Sequence, residues 1–376
     1  MKKVLVITYY WPPGGGGGVQ RWLKFVKYLP DFGWEPVVYT PSNPQYPVID
    51  KELARDVRKD TRIVQRPIWE PFHLYRLFTR RKKDEAISTA FTSEVESSRA
   101  KENISNFVRS NFFIPDARRF WIRPSIRFLT KYLREYPVDL VVTTGPPHSM
   151  HMIGMGIQRK LGIRWVADFR DPWTNIDYFS ELKLTTLARN RHHRMEGKVV
   201  RRADCVITVG EEMRKEMTAI GARQVQVITN GYDLEDIRHE KPVPDTDFSM
   251  AHIGVLMKHR NPHTLWQALS ELVKESGSFR KDLRLVLVGN VDVEVMNSLR
   301  SYGLEDHCEK VGHVLHPEAV RYQQKSQVLL LPINKTPNAK GMLTGKLFEY
   351  IASGRPVLLT GPKDGDAARI IRDTGT

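Results

Sequence analysis

Short apolar runs alternate with amphipathic stretches along most of this chain. The first run, Val4–Tyr9, is rich in β-branched residues and predicts a buried strand. Shortly after it, apolar side chains recur at the spacing of one helical face, at Val19, Trp22, Leu23 and Val26. This change from a strand pattern to a helix pattern returns in both halves of the sequence. The pattern therefore predicts βαβ units and parallel sheets.

Later apolar runs predict the remaining strands. In the first half these are Pro36–Tyr39, Val138–Thr143, Arg164–Phe169, Asp204–Val209 and Val225–Thr229. In the second half they are Ser249–Leu256, Leu283–Gly289, Glu309–Gly312, Gln327–Ile333 and Pro356–Thr360. Helical patterns separate them, which favours right-handed crossovers. We therefore expect an α/β protein with two doubly wound, Rossmann-like parallel sheets that face each other across a cleft.

The length of 376 residues exceeds what most single cores contain, so two domains are expected. Charge and proline content rise from His239 to Asp247, which predicts a linker there. We assign residues 1–238 to the first domain and 239–376 to the second. Residues 66–136 form an irregular basic insert in the first domain. A helix is expected to begin near Pro124, with its basic residues on one face: Arg127, Lys131 and Arg134.

Five glycines, Gly14–Gly18, lie between the first strand and the first helix. A helix start exposes unpaired N–H groups, and glycine lets a ligand approach the backbone, so Gly16, Gly17 and Gly18 are candidates for an anion site. The dinucleotide fingerprint is missing, because no carboxylate ends the second strand. A loop without a ligand is the alternative interpretation.

Charged residues follow the strand Arg164–Phe169, where ligands of open α/β sheets bind. Asp168, Arg170 and Asp171 are the candidates there, and an ion pair that holds a loop is the alternative. Asp245 and Asp247 imitate a metal-binding DxD sequence, but they lie in the proline-flanked linker. We therefore predict no metal site.

The net charge of +15 favours anionic partners such as nucleotide-sugars, an acidic membrane face or nucleic acid. No apolar run reaches the roughly 18 residues that a membrane span needs. The only two cysteines, Cys205 and Cys308, fit a reducing cytoplasm. We find no helix-turn-helix, zinc spacing or aromatic-basic RNA motif, so a nucleic-acid partner is not expected.

Several segments resemble the GT-B glycosyltransferases, most closely the retaining family 4 type. In the second half these are Val227–Asp233 (VITNGYD), His252–Pro262 (HIGVLMKHRNP), Gln327–Ile333 and, most specifically, Gly345–Val357 (GKLFEYIASGRPV). In the first half, Gly14–Gly18 and the stretch Asp168–Trp173 (DFRDPW) are similar to a bacterial surface-polysaccharide branch of that family. The resemblance covers almost the whole chain outside the insert.

The resemblance implies a glycosyltransferase whose donor is a nucleotide diphosphate sugar. Its phosphates would meet Lys258, Arg260, Gly345 and Lys346, and its ribose would meet Glu349. Asp168, Arg170 and Asp171 would line the side of a glycan or lipid-linked acceptor. The family also implies retention of anomeric configuration, and stabilisation of the leaving group without a metal or cofactor. We expect a cytoplasmic protein at the inner face of an anionic membrane.

The chain departs from the family pattern at several positions. Gly341 occupies the place of a donor-binding glutamate, and Val255 that of an arginine for which Lys258 could substitute. Arg170 aligns with a histidine of many relatives. The sequence stops at Thr376, before a strand and helices that relatives possess, so we expect a truncated chain with low activity.

Two other functions share some of these features. The nucleotide-sugar 2-epimerases have the same double-sheet architecture, but they need acid and base groups at the sugar and no acceptor surface. Incubation with donor alone would separate them from a transferase. A nucleic-acid-binding protein is suggested by the charge alone, and salt-dependent filter binding would test it.

Overall fold

The computed structural model describes residues 1–70, 107–237 and 242–376. Contacts within the chain divide it into two compact units, Met1–Thr229 (unit 1) and Asn230–Thr376 (unit 2). The domain boundary expected from the sequence, between residues 238 and 239, falls inside unit 2. Residues 239–241 of the expected linker and 71–106 of the expected insert lie outside the described residues.

Unit 1 contains a seven-stranded parallel sheet in the order β3-β2-β1-β4-β5-β6-β7. Its strands are β1 Lys2–Ile7, β2 Trp34–Pro41, β3 Arg62–Arg66, β4 Leu140–Gly145, β5 Arg164–Phe169, β6 Cys205–Thr208 and β7 Val225–Val227. Its α-helices are α1 Gly17–Tyr28, α2 Arg119–Glu135, α3 Ser149–Leu161, α4 Thr186–Arg202 and α5 Glu211–Ile220. The strand order reverses between β1 and β4, which is where sheets of this type bind ligands.

The centre of this sheet is apolar on both faces because helices cover both. Val6 of β1 lies in register with Val38 on one side and with Val142 on the other, and all three are buried. The predicted apolar face of α1 packs here, with Val19, Trp22, Leu23 and Val26 all buried. This packing fixes α1 and thereby the glycines at its start.

Unit 2 contains a five-stranded parallel sheet in the order β10-β9-β8-β11-β12. Its strands are β8 Ser249–Ile253, β9 Arg284–Val288, β10 Cys308–Gly312, β11 Val328–Pro332 and β12 Val357–Thr360. Its helices are α6 Leu234–Ile237, α7 His263–Glu275, α8 Gly277–Asp282, α9 Val293–Ser301, α10 His316–Lys325, α11 Gly345–Ser353 and α12 Asp366–Thr374. Here the strand order reverses between β8 and β11.

The fold class expected from the sequence is confirmed: each unit is a parallel α/β sheet. Strand β3 and the short helices α6 and α8 had not been predicted. The expected start of a helix near Pro124 is wrong, because α2 begins at Arg119 and contains that proline. Pro124 is exposed, whereas Trp121 on the preceding turn is buried and anchors the earlier start. No helix of the described residues is long and apolar enough to span a bilayer.

Candidate functional site

The glycine loop of unit 1 leads directly into α1. Gly16 is the N-cap residue, with a φ of 85° that side chains other than glycine rarely adopt. A Cβ atom built on Gly16 or Gly17 would have no neighbour within 4 Å among the described residues. The start of the helix is therefore open to a ligand, as an anion site requires.

The end of β5 lies against this helix start. The side chain of Asp168 is fully buried and accepts hydrogen bonds from Nη2 of Arg21 at 2.9 Å, Nε1 of Trp22 at 2.7 Å and Oγ1 of Thr144 at 3.0 Å. Its ion-pair partner is thus Arg21 of α1 and not the neighbouring Arg170. Two of these three donors belong to α1, so the contacts of Asp168 hold that helix in position.

Arg170 also contacts the glycine helix. Its Nη1 donates to the carbonyl oxygen of Gly18 at 2.8 Å, and its Nη2 donates to that of Pro146 at 3.3 Å. Two motifs that are far apart in sequence, the glycine loop and DFRDPW, therefore lie together in unit 1. Their predicted roles toward a substrate remain predictions.

Asp171 is the most accessible of the three candidates at this strand end. Its side chain keeps 46% of its surface exposed and lies 3.7 Å from Nε of Arg170. Partial burial raises the pKa of the Asp171 carboxyl, and the positive charge of Arg170 opposes that rise. This carboxylate can accept a hydrogen bond from a ligand on the surface of unit 1.

A histidine site after β4 was not predicted from the sequence. The ring of His148 stacks on that of Trp173 with centroids 4.6 Å apart, and Nε1 of Trp173 donates to Nδ1 of His192 at 3.0 Å. Burial lowers the pKa of His148 well below its ordinary value, with smaller contributions from neighbouring charges that include Arg170. His148 is therefore a neutral imidazole at the point where the strand order reverses. In the sequence, Pro146-Pro147-His148 indicated only that a strand ends there, and not that the histidine belongs to a site.

In unit 2, a cationic group lies over a glycine at the end of β8. Gly254 has a φ of 114°, and a Cβ atom built on it would collide with Nζ of Lys346. That Nζ is 3.5 Å from Nε2 of His252. The other ring nitrogen of His252, Nδ1, lies 3.0 Å from the carbonyl oxygen of Leu330 and must donate to it. The Nε2 lone pair of the neutral ring then faces the ammonium group.

The surroundings of Lys346 disfavour its positive charge. Burial, and then the positive charge of Arg260, lower the pKa of Lys346 from 10.5 to about 8, although Glu349 acts in the opposite direction. Burial lowers the pKa of His252 to about 3, so this histidine adds no charge. Arg260 is oriented by a hydrogen bond from its Nε to Oδ1 of Asn334. Two cations that disfavour each other form a site that an anion would stabilise.

Helix α11 begins beside this pair of cations. Among the described residues, nothing lies within 4 Å of a Cβ atom built on Gly345, and the buried Oγ1 of the N-cap residue Thr344 has no hydrogen-bond partner. Glu349 is half-buried, and its Oε2 accepts a hydrogen bond of 3.0 Å from Nε2 of the buried Gln323. Glu349 is thus oriented by the protein and is not simply a solvated helix residue.

The structure brings together most of the predicted residues of unit 2. Arg260 and Glu349 both lie close enough to Lys346 to affect the charge of its ammonium group, and Gly345 starts the helix that carries Lys346 and Glu349. Lys258 begins a short 3-10 helix, Lys258–Arg260, and its side chain is exposed. Among the described residues, no group of three or more His, Cys, Asp or Glu side chains could hold a metal ion. Asp247 pairs with Arg284 at 2.6 Å.

Two open α/β units with these strand-end sites define the GT-B type of architecture. A glycosyl transferase 4-like domain model matches residues 16–231, and a glycosyl transferases group 1 model matches residues 247–376. Because the first match covers more than half of the sequence, the chain belongs to the glycosyl transferase 4-like family. The resemblance inferred from the motifs is confirmed.

The individual relatives share only low sequence identity with this chain. A Bacillus subtilis (strain 168) protein is 23% identical over 173 residues, and its name assigns it provisionally as a glycosyltransferase of teichuronic acid biosynthesis. The match spans 44% of this chain and 42% of that relative, so the chain spans less than half of the relative's length.

Solved structures share the fold. The sucrose-phosphate synthase of Thermosynechococcus elongatus has a TM-score of 0.58 at 15% identity, over 100% of this chain and 91% of the other. A mutant of S. aureus TarM, solved with fondaparinux, α-GlcNAc-glycerol and UDP, has a TM-score of 0.53 at 12% identity, over 97% of this chain and 87% of the other.

Proposed function

We propose that this protein transfers a sugar from a nucleotide diphosphate sugar to a glycan or lipid-linked acceptor. The observation that carries the proposal is the pair Arg260 and Lys346 beside the open start of α11, with Glu349 on the next turn. Membership of a glycosyltransferase family supports the reaction class.

The chemistry of the donor matches this group of residues. Its two phosphates carry negative charge, which Arg260 and Lys346 would neutralise and which the N–H groups at Gly345 would bind. The exposed Lys258 on the same 3-10 turn as Arg260 would add a further positive charge. Glu349 would accept hydrogen bonds from the ribose hydroxyls, since an ionised carboxylate has about four acceptor sites and Gln323 uses one.

Charge develops on the departing nucleoside diphosphate as the sugar–phosphate bond breaks. Fixed cations at that position stabilise the transition state more than the ground state, so they accelerate the reaction without a metal or cofactor. The glycines of unit 1, Gly16, Gly17 and Gly18, are proposed to bind phosphate from α1 mainly as negative charge develops on it, so they add little to the ground-state affinity for the donor. Gly16 and Gly17 have open space beside them for this contact. Retention of configuration, with the leaving phosphate assisting a front-side attack, is proposed from the family resemblance.

The acceptor is proposed to bind at the strand ends of unit 1. Asp171 offers an accessible carboxylate for a sugar hydroxyl, and Arg170 places it beside the start of α1. Asp168 would contribute by holding α1. The name of the Bacillus relative and the α-GlcNAc-glycerol bound to TarM support a cell-surface glycan as the class of acceptor.

An anionic membrane is proposed as a peripheral partner inside the cytoplasm. Helix α2 carries Arg127, Lys131 and Arg134, which would attract acidic lipid headgroups. Flotation with phosphatidylglycerol vesicles should recover the protein, and phosphatidylcholine vesicles should not. Equal recovery with both would contradict this partner.

The reaction itself is tested by incubating the protein with a panel of nucleotide diphosphate sugars, with and without glycan acceptors. We expect release of the nucleoside diphosphate only when an acceptor is present, and a product whose anomeric configuration by NMR equals that of the donor. The rate should be the same with a chelator. An epimerised sugar from donor alone would identify a 2-epimerase instead, and loss of activity with the chelator would overturn the metal-free mechanism.

A further inference from the structure

Arg21 is a charged residue on the otherwise apolar side of α1. It lies one turn inside the helix, and its side chain is only 2% exposed. Its Nη2 and Nε contact the two carboxylate oxygens of Asp168 at 2.9 and 3.3 Å, and its guanidinium also packs over the ring of Phe25. A buried ion pair of this kind gives little net stability, so its presence at this place calls for another explanation.

Two further hydrogen bonds of Arg21 reach a different segment. Its Nη1 donates to the carbonyl oxygen of Thr229 at 2.9 Å, and its Nη2 donates to that of Ile228 at 2.8 Å. These are the last two residues of unit 1, directly after β7. One planar guanidinium thus joins the glycine helix, the end of β5 and the point at which the chain leaves unit 1.

The geometry requires arginine. Hydrogen bonds run from one guanidinium to a carboxylate on one side and to two consecutive carbonyl groups on the other, and its rigid fork of five N–H donors can serve both. A lysine ammonium would keep the charge opposite Asp168, but it could not reach all these acceptors at once. Asp168 also accepts from Trp22 and Thr144, so its carboxylate is fixed and holds the guanidinium in one orientation.

We propose that Arg21 is a positioning residue that fixes the exit of the chain from unit 1 to the helix that presents the glycine loop. The proposal rests on the proposed function, because the start of α1 is taken to face the substrate. If the exit segment were released, the donor-binding residues of unit 2 would be unchanged, but the glycine helix and the start of the connection could shift independently. The turnover number kcat should then fall, whereas the affinity for the donor should stay unchanged.

The test compares Arg21→Lys with a matched control, Arg201→Lys. Arg201 of α4 also donates a hydrogen bond to a backbone carbonyl of unit 1, that of Ile220 at 3.1 Å. Unlike Arg21, it is remote in the sequence from every candidate site residue. For Arg21→Lys we expect kcat to fall at least tenfold, with the donor KM and the Kd for nucleoside diphosphate within twofold of wild type. Arg201→Lys should change none of them.

Amide hydrogen exchange provides a second measurement that needs no substrate. In Arg21→Lys, exchange at Ile228, whose N–H donates to the carbonyl oxygen of Thr208 at 2.9 Å, should accelerate at least tenfold, and in Arg201→Lys it should stay at the wild-type rate. If Arg21→Lys does not fold, the double variant Arg21→Met/Asp168→Leu replaces it, since it leaves no buried charge unpaired. The same results are expected from it.

The outcomes separate the two proposals. If wild-type protein transfers no sugar, the proposed function fails, while the exchange rates still decide whether Arg21 holds the exit segment. Unchanged exchange would overturn the positioning role. An unchanged kcat, or equal losses in kcat and donor affinity, would overturn it as well.

Discussion

The two units build the same local structure and use their cations differently. In unit 1, α1 follows β1 at the reversal of strand order, and in unit 2, α11 follows β11 at the corresponding reversal. Both helices start with glycines that have open space beside them. In unit 1, however, the nearby guanidinium groups of Arg21 and Arg170 bind protein oxygens: the carboxylate of Asp168 and backbone carbonyls.

In unit 2, the ammonium group of Lys346 has an unfavourable electrostatic environment. Lys346 faces a neutral histidine and the like charge of Arg260, and its pKa is lowered to about 8. This contrast shows that a glycine-started helix does not by itself identify where an anion binds. A positive charge that the surrounding protein disfavours is a second indicator, and it supports the phosphate site proposed in unit 2.

The largest effect that would test this comparison is expected from Arg260→Ala. A hydrogen bond to a charged group contributes roughly 1.5–3 kcal/mol, and about 2 kcal/mol corresponds to about a 30-fold loss of affinity. Calorimetric titration should show this loss for nucleoside diphosphate and for pyrophosphate, with little change for the nucleoside.

The matched control is Arg170→Ala in unit 1. It removes a guanidinium that contacts Gly18 and Pro146, so the affinity for nucleoside diphosphate should change less than threefold. Equal losses in the two variants would erase the distinction between the units. Equal losses of nucleoside and diphosphate in Arg260→Ala would show that Arg260 has a structural role only.

Much of the fold could be predicted because apolar periodicity is a local property. The helix α1 and the strand Arg164–Phe169 were both apparent from the spacing of apolar residues. Strand β3 was missed because its sequence, Arg62–Arg66, is mostly charged or polar and lies at an edge of the sheet with little burial. Its pairing with β2 decides its conformation, and pairing is not visible in a local pattern.

The candidate site could be predicted only in part. Arg260, Lys346 and Glu349 were found because family motifs place them, and the structure brings them together. Arg21 was missed because a charged residue on a helix carries no sign of its partner, and Asp168 lies far away in sequence. Asp168 was singled out from its place at a strand end, but only the fold shows that its carboxylate is engaged by α1.

A smaller effect is expected from Glu349→Gln, which keeps the shape of the side chain and removes its charge. Loss of a charge-assisted contact to ribose should weaken nucleoside diphosphate about tenfold. Pyrophosphate, which has no ribose, should bind almost as before at pH 7. The control Glu318→Gln, on an exposed position of α10, should change neither. An unchanged nucleoside diphosphate affinity would remove Glu349 from the site.

The smallest effect is a pH dependence that arises from Lys346. Because its pKa is about 8, the protonated fraction falls about fourfold between pH 7 and pH 8.5. If the ammonium binds phosphate, the pyrophosphate affinity should fall by about that factor in calorimetric titrations. Neutral His252 contributes no change in this range, and the guanidinium of Arg260 stays charged throughout it.

Stability should change in the opposite direction over the same range. The unfolded chain holds this proton up to the ordinary lysine pKa of 10.5, whereas the folded protein releases it near 8. The unfolded state therefore binds more protons between these values, so Lys346 makes the free energy of unfolding rise with pH there. The destabilisation by Lys346 is greatest below pH 8.

The variant Lys346→Arg, which stays charged, should remove the pH dependence of both the pyrophosphate affinity and the stability, while it preserves binding at pH 7. If the affinity of Lys346→Arg still fell between pH 7 and pH 8.5, another group would be responsible, and the electrostatic contrast between the units would lose its support.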